Sequence, residues 1–249
     1  MLLLAILPFL QAYAQKLPKV QTASLPAPAN IKIDGKAAEW NGLQAYDPNN
    51  MLYYSLANDQ NNLYLVIKSD KNTISRKILL GGFKFNLQAG GEAEKTITYP
   101  VVNDTNIRSI YNRFPTGNQQ IDYTEAYKRS YKEILKLFKT LGVKGFKNIE
   151  NTETPIYNDL DIWVNAAFDE TGAYVCEFAI PLKYLINGAV NTERLTYTLT
   201  IGRAKMPDGD GRPIEIKTHD GGPPLDNQGV DLRTMHSDTF LKAEYTLAK

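Results

Sequence analysis

The chain has 249 residues, near-balanced charge (28 Lys and Arg against 27 Asp and Glu, net +1) and a single cysteine. This balance gives no electrostatic argument for nucleic acid or an anionic membrane as a partner. One cysteine excludes an intramolecular disulfide, so the fold rests on its core, with Cys176 expected as a buried, inert thiol in an apolar strand.

Residues 1–14 open with the apolar run MLLLAILPFL and close on Ala12-Tyr13-Ala14. A short hydrophobic segment followed by an A-x-A site reads as a signal peptide cut before Gln15, too short to span a bilayer. A secreted or periplasmic protein with no transmembrane segment is therefore expected. Residues 15–29 are rich in Pro, Ala, Ser and Thr and read as an extended leader. Residues 30–249 show no internal repeat and no linker, and are taken as one domain.

Within that domain, short segments of period-two alternation recur. Residues 31–33 form a short strand candidate ending at the Asp34-Gly35 turn. Strands are expected at 52–56, 63–67, 83–87 and 97–99, with turns at 58–62 and Gly90-Gly91. Residues 122–141 break the rhythm: Tyr127, Tyr131, Ile134, Leu135, Phe138 and Leu141 recur at helical spacing. They predict the one substantial helix, capped by Gly142, with its aromatic stripe packed on a sheet.

Strands resume at 160–168, where Leu160, Ile162, Val164, Ala166 and Phe168 share one face and Asp161, Trp163 and Asn165 the other. Further strands are expected at 174–180, ended by Pro181, at 195–201 and near 239–247, with a short turn or helix at 182–186. One apolar face per strand is the mark of antiparallel sheets packed on a common core. The expected class is mainly β, an antiparallel β-sandwich with one inserted α-helix.

Three segments carry a resemblance: Ile33-Asp34-Gly35 through Glu39-Trp40, then Leu63-Tyr64-Leu65-Val66, then Tyr174-Val175-Cys176-Glu177-Phe178-Ala179-Ile180-Pro181. In this order and spacing the chain resembles the carbohydrate-binding module family 9-like domains, within the wider DOMON-like β-sandwiches. The resemblance implies the sandwich fold and a sugar or cell-surface glycan as partner. It also places Glu177 in a structural strand motif. Sugar-binding members sandwich a sugar ring between two tryptophans. Here Asp34, Glu39 and Trp40 are read as structural, with Trp40 plugging one end of the sandwich, which leaves Trp163 as the ligand-facing indole.

Trp163 with Asp161 and Asn165 is the candidate binding group. An indole face stacks on the C–H face of a sugar while carboxylate and carboxamide take its hydroxyls. The competing reading buries Trp163 beneath the helix or a loop. In the long loop at 204–237, Asp208 and Asp210 are oxygen-rich candidates for Ca2+, although a solvated turn is the simpler reading. The resemblance to DOMON-like domains, some of which bind haem through a Met/His pair, draws attention to His219 and His236 near Met206 and Met235, but nothing fixes such a pair at strand positions. No other cofactor is expected. The leading functional expectation is an exported, non-catalytic carbohydrate-binding module. The alternatives are a glycan-active hydrolase or accessory domain using Asp161 and Glu177, and an envelope structural or interaction protein.

Overall fold

Alternating apolar and polar side chains mark the strands of this chain, whose apolar faces must meet. A computed structural model describes residues 16–115, 123–147, 149, 152–186, 194–207 and 222–249. In chain order the elements are β1 (Ala45–Asp47), β2 (Leu52–Asn58), β3 (Asn62–Ser69), α1 (Asn72–Gly81), β4 (Phe83–Ala89), β5 (Lys95–Thr98) and α2 (Ile107–Tyr111). Then follow α3 (Tyr123–Leu135), β6 (Thr140–Lys144), β7 (Glu153–Pro155), β8 (Trp163–Phe168), β9 (Tyr174–Pro181), β10 (Arg194–Ile201) and β11 (Thr239–Thr246).

The strands form two antiparallel sheets, a five-stranded one in the order β1-β2-β3-β9-β8 and a six-stranded one in the order β11-β10-β4-β5-β6-β7. Their inner faces make the core of a β-sandwich. Phe178 of β9 meets Phe83 and Phe85 of β4 with ring centroids 5.6 and 6.1 Å apart. At one margin the hydroxyls of Tyr54 and Tyr197 lie 2.9 Å apart, joining the two sheets through a buried polar contact. Phe178 is fully buried, and truncating such a ring costs about 3–5 kcal/mol. Cys176 is fully buried on the same face, and burial pushes its thiol well above the ordinary range, as expected of an inert cysteine.

Several elements depart from the sequence reading. The helix expected over 122–141 ends at Leu135, and 140–144 is strand β6. Leu141 and Val143 point inward at strand spacing, so alternation replaces the helical period there. Gly142 is consequently no helix cap; it pairs with Thr98, whose Cβ would stand 3.1 Å from any side chain at that position. The aromatic stripe does pack on the sheet: Tyr131 stacks on Phe168 of β8 at 4.8 Å. Three helices stand where the sequence reading has one: besides α3 there are the short α2 and the ten-residue α1, whose buried residues include Ile74, Ile78 and Leu79.

Residues 31–33 form no strand, and β8 begins at Trp163, not 160. Asp161 stands before that strand with φ 59°, in the left-handed region. The leader is extended but docked. Its Pro18 carbonyl accepts from Tyr46 N at 2.9 Å, and Ala27 N donates to Asn58 O at 2.8 Å. The buried Gln21 amide imitates a strand neighbour, donating to Leu56 O at 2.8 Å and accepting from Leu56 N at 2.7 Å. Those bonds satisfy β2 backbone groups that β1 is too short to reach.

No helix among the described residues is long and apolar enough to cross a membrane.

Candidate functional site

The outer face of the five-stranded sheet has a covered part and an open part. Register sets its side chains in rows across the strands. One row runs Val66 of β3, Glu177 of β9, Asn165 of β8; the next runs Tyr64, Ala179, Trp163. A second, smaller apolar cluster covers part of this face. It joins Trp40, Tyr64, Val66, Val175 and Ala179 to Leu25, Ile31, Ile33 and Leu43 of the N-terminal segment. Trp40 therefore packs on a sheet face and does not plug an end of the sandwich.

Glu177 fastens that cover. One carboxylate oxygen accepts from the backbone N–H groups of Asp34, Gly35 and Lys36 at 3.1, 2.9 and 3.2 Å. The other accepts from the Trp40 indole N–H at 2.8 Å. Burial pushes the Glu177 carboxyl up to about 7, while the Trp40 indole and the backbone donors pull it back down. Gly35 has φ 80°, and a Cβ there would stand 2.7 Å from Ala167 N, so only glycine lets the turn lie this close to β8. Glu39 closes the loop by accepting from Lys32 N at 3.0 Å. The three sequence segments behind the family resemblance thus meet in one knot around Glu177.

Beyond the knot the cover stops, and the row Tyr64–Ala179–Trp163 opens into a groove of about 570 Å³. Its cause is local. Ala179 has only a methyl group between Tyr64 and Trp163, its neighbours on either flanking strand, too small to fill the space. Trp163 is 40% exposed and lines the groove, and α3 does not cover it. Ile31 and Ile33 line the groove from the N-terminal segment.

The groove also has polar lining groups. Gln60, Asn61 and Asn62 line it from the β2–β3 turn, Asp161 from the residues leading into β8, and Lys183 from the single helical turn at Leu182–Tyr184. Asp161 and Lys183 form an exposed ion pair at 3.3 Å, a contact that adds little stability and leaves both groups open to a ligand. The β2–β3 turn is pre-set by Asp59, which accepts from Asn61 N and Asn62 N at 2.7 Å each and from the Tyr64 hydroxyl at 2.8 Å. Burial raises the Asp59 carboxyl, but these bonds outweigh it and hold it below the usual carboxylate range. Burial and the Asp59 partner push the Tyr64 phenol up to about 12, so it stays a donor. Asn61 O accepts from Leu182 N at 2.7 Å, tying the two polar segments together.

Trp163 and Asp161 thus come together in one groove, although Asp161 reaches it from outside the strand. Asn165 does not line it: one row away, its amide donates to Ile33 O at 3.3 Å and holds the N-terminal segment. Glu177 does not line it either, and its oxygens are already occupied by four N–H groups. Asp161 and Glu177 therefore do not face each other across a cleft as a hydrolytic pair requires. Asp208, Asp210 and His219 lie outside the described residues. Among the described residues no group of three or more His, Cys, Asp or Glu is placed to hold a metal ion.

The sequence reading has the turn at 58–62 and places Tyr64 and Ala179 in strands, but it assigns neither them nor Lys183 to the candidate site. Their signal is faint but present: an alanine among bulky strand residues, and a polar run before Tyr64. Only the pairing of β3 with β9, which is distant from it in the chain, brings Tyr64 and the turn before it beside Ala179 and Trp163. No protein-family model matches the chain, and no curated protein matches it.

Proposed function

We propose that this protein is an exported, non-catalytic carbohydrate-binding module, akin to the family 9-like DOMON-like domains, and that it holds a sugar ring in the groove beside Trp163. The observation that carries this reading is an exposed indole beside a gap created by Ala179, with Asp161, Lys183 and the 60–62 turn at hand. A sugar offers the complement: a C–H face for the indole and hydroxyls for carboxylate and carboxamides. The groove lies within the range of small-molecule sites, roughly 300–1,000 Å³, and has room for a short glycan. Its polar groups are held before any ligand arrives, which lowers the ordering cost of binding.

Engagement of Glu177 by four donors favours binding over hydrolysis, because a general acid or base must reach its substrate. The exposure of Trp163 favours a ligand-binding role over an envelope protein with an empty sheet face. Export rests on the signal peptide read over 1–14, and the carbohydrate partner on the resemblance together with the groove.

Affinity electrophoresis through gels containing different polysaccharides tests the proposal. At least one polysaccharide should retard the wild-type chain, Trp163→Ala should abolish the retardation and Asp161→Asn should weaken it. Retardation unchanged in Trp163→Ala would remove the site. Release of reducing sugar by wild type would replace binding with hydrolysis.

A further inference from the structure

Of the four strands that end the two sheets, β1 and β7 are three residues long, and β8 carries α3 against it through Phe168 and Tyr131. β11 is different. It runs eight residues, Thr239–Thr246, and pairs along its whole length with β10 on one side. An edge strand of that length presents a row of backbone donors and acceptors that can template another strand.

The register gives the direction of those groups. Gly202, which continues β10, donates its N–H to Gly82 O at 3.0 Å, on the β4 side. Backbone groups alternate in direction along a strand, so the odd-numbered residues of β10 turn theirs to β11. Their partners there are Thr239, Leu241, Ala243 and Tyr245. Phe240, Lys242, Glu244 and Thr246 therefore turn their N–H and C=O groups outward. Asn49 shows the same direction, since its amide donates to Phe240 O at 3.3 Å from beyond the edge. Among the described residues, nothing takes up the outward backbone groups of Lys242, Glu244 or Thr246. The side chains of these four residues stand exposed on the outer sheet face, Phe240 at 60%.

Charged residues on an edge strand ordinarily deter pairing. Here the two charges are opposite in sign and flank Ala243. A two-fold axis through Ala243 sets Lys242 against the partner's Glu244, Glu244 against the partner's Lys242, and Phe240 against the partner's Thr246. In that register the outward backbone groups meet as hydrogen-bonded pairs, and the paired side chains share one face. Registers centred on Lys242 or Glu244 oppose like charges instead. Those centred on Leu241 or Tyr245 leave much of the strand unpaired.

We infer that this protein forms a two-fold homodimer in which the β11 edges of two copies pair antiparallel about Ala243, joining their six-stranded sheets into one. Each copy offers the same self-complementary edge, as a closed two-fold interface requires. Arg194 pairs with Glu244 within one copy at 3.2 Å, and both are exposed, which leaves carboxylate lone pairs for the partner's Lys242. The inference does not depend on the Trp163 groove or on the function proposed for it.

Sedimentation velocity of the whole chain tests it. A single strand pair makes a small interface, so the dimer should dominate at about 300 µM and dissociate on dilution. Lys242→Glu and Glu244→Lys each set like charges opposite one another twice and should weaken association at least about tenfold. An equimolar mixture of these two variants restores opposite charges across the axis and should associate at least about tenfold more tightly than either alone. Lys242→Pro removes an outward donor at an edge position that tolerates proline, and should abolish the dimer. Trp163→Ala should leave it unchanged. A monomer at about 300 µM overturns the inference. So does a dimer that survives Lys242→Pro or both charge reversals, or a mixture no tighter than its components. Thermal melts establish folding of each variant, and should Lys242→Pro not fold, the mixture decides.

Discussion

Trp40 and Trp163 lie on the same face of the same sheet, each with a carboxylate at hand, and they have opposite fates. Trp40 is 6% exposed, and its indole N–H is spent on Glu177, which is itself fully buried. Trp163 is 40% exposed, and Asp161 nearby is paired, among the described residues, with an exposed lysine. What differs is the N-terminal segment, which lies over one part of the face and stops short of the other. An indole that has found an internal acceptor is part of the scaffold. One left beside an unfilled alanine position is available to a ligand.

The largest expected effect tests the closed side of that contrast. Glu177→Ala removes the acceptor of three backbone N–H groups and one indole N–H, the bonds from Gly35 and Trp40 buried and those from Asp34 and Lys36 part-buried. A loss of more than about 3 kcal/mol is expected in urea unfolding. A loss under about 1 kcal/mol would mean that the knot does not fasten the N-terminal segment.

A second sealed charge sharpens the comparison. Lys77 of α1 is fully buried, with its ammonium donating to the Thr239 hydroxyl at 2.8 Å. Burial lowers it to about 8. The folded lysine therefore binds fewer protons than the unfolded one between about pH 8 and 10.5, so stability rises with pH across that window. Below about 8 the penalty is complete, about 3 kcal/mol. Stability of wild type and Lys77→Met, measured from pH 7 to 10, should converge as pH rises. Parallel curves would contradict the burial of a charge there. Glu177 and Lys77 are both enclosed, but Glu177 has four partners and Lys77 leans on threonine hydroxyls.

Gly35→Ala probes the close approach of the turn to β8. The φ of 80° and the contact with Ala167 predict a loss of about 2 kcal/mol or more, read as a shift in unfolding midpoint. The smallest stability effect belongs to the open side. Trp163→Ala should change stability by no more than about 0.5 kcal/mol, while binding of the retarding polysaccharide falls at least about tenfold. A large destabilisation would place Trp163 with Trp40 in the scaffold.

Most strands were legible because alternation is written locally: Leu63, Leu65 and Ile67 point inward as their spacing requires, as do Leu195, Tyr197 and Leu199. The end of α3 was not. Phe138 and Leu141 continue the helical count by coincidence, and both are buried, although neither belongs to the helix. Helix α1 lacks a side-chain N-cap at Lys71, and its run Ile78-Leu79-Leu80 is apolar without a period. At the site, Trp163 was legible because its outward direction follows from its strand neighbours. The groove was not, since Tyr64, Ala179 and Trp163 meet only through β3–β9 and β9–β8 pairing. Asp161 lines the groove from the residues that lead into β8, and not from the strand face on which the sequence reading places it.

Intrinsic fluorescence tests the central claim most directly, because the chain has only two tryptophans. Titration with oligosaccharides of the retarding polysaccharide should change the emission of wild type as a sugar stacks on Trp163. The same titration of Trp163→Ala, which retains Trp40, should be flat. An emission change that survives in Trp163→Ala, or its absence in wild type at saturating oligosaccharide, would contradict a sugar site on the exposed indole.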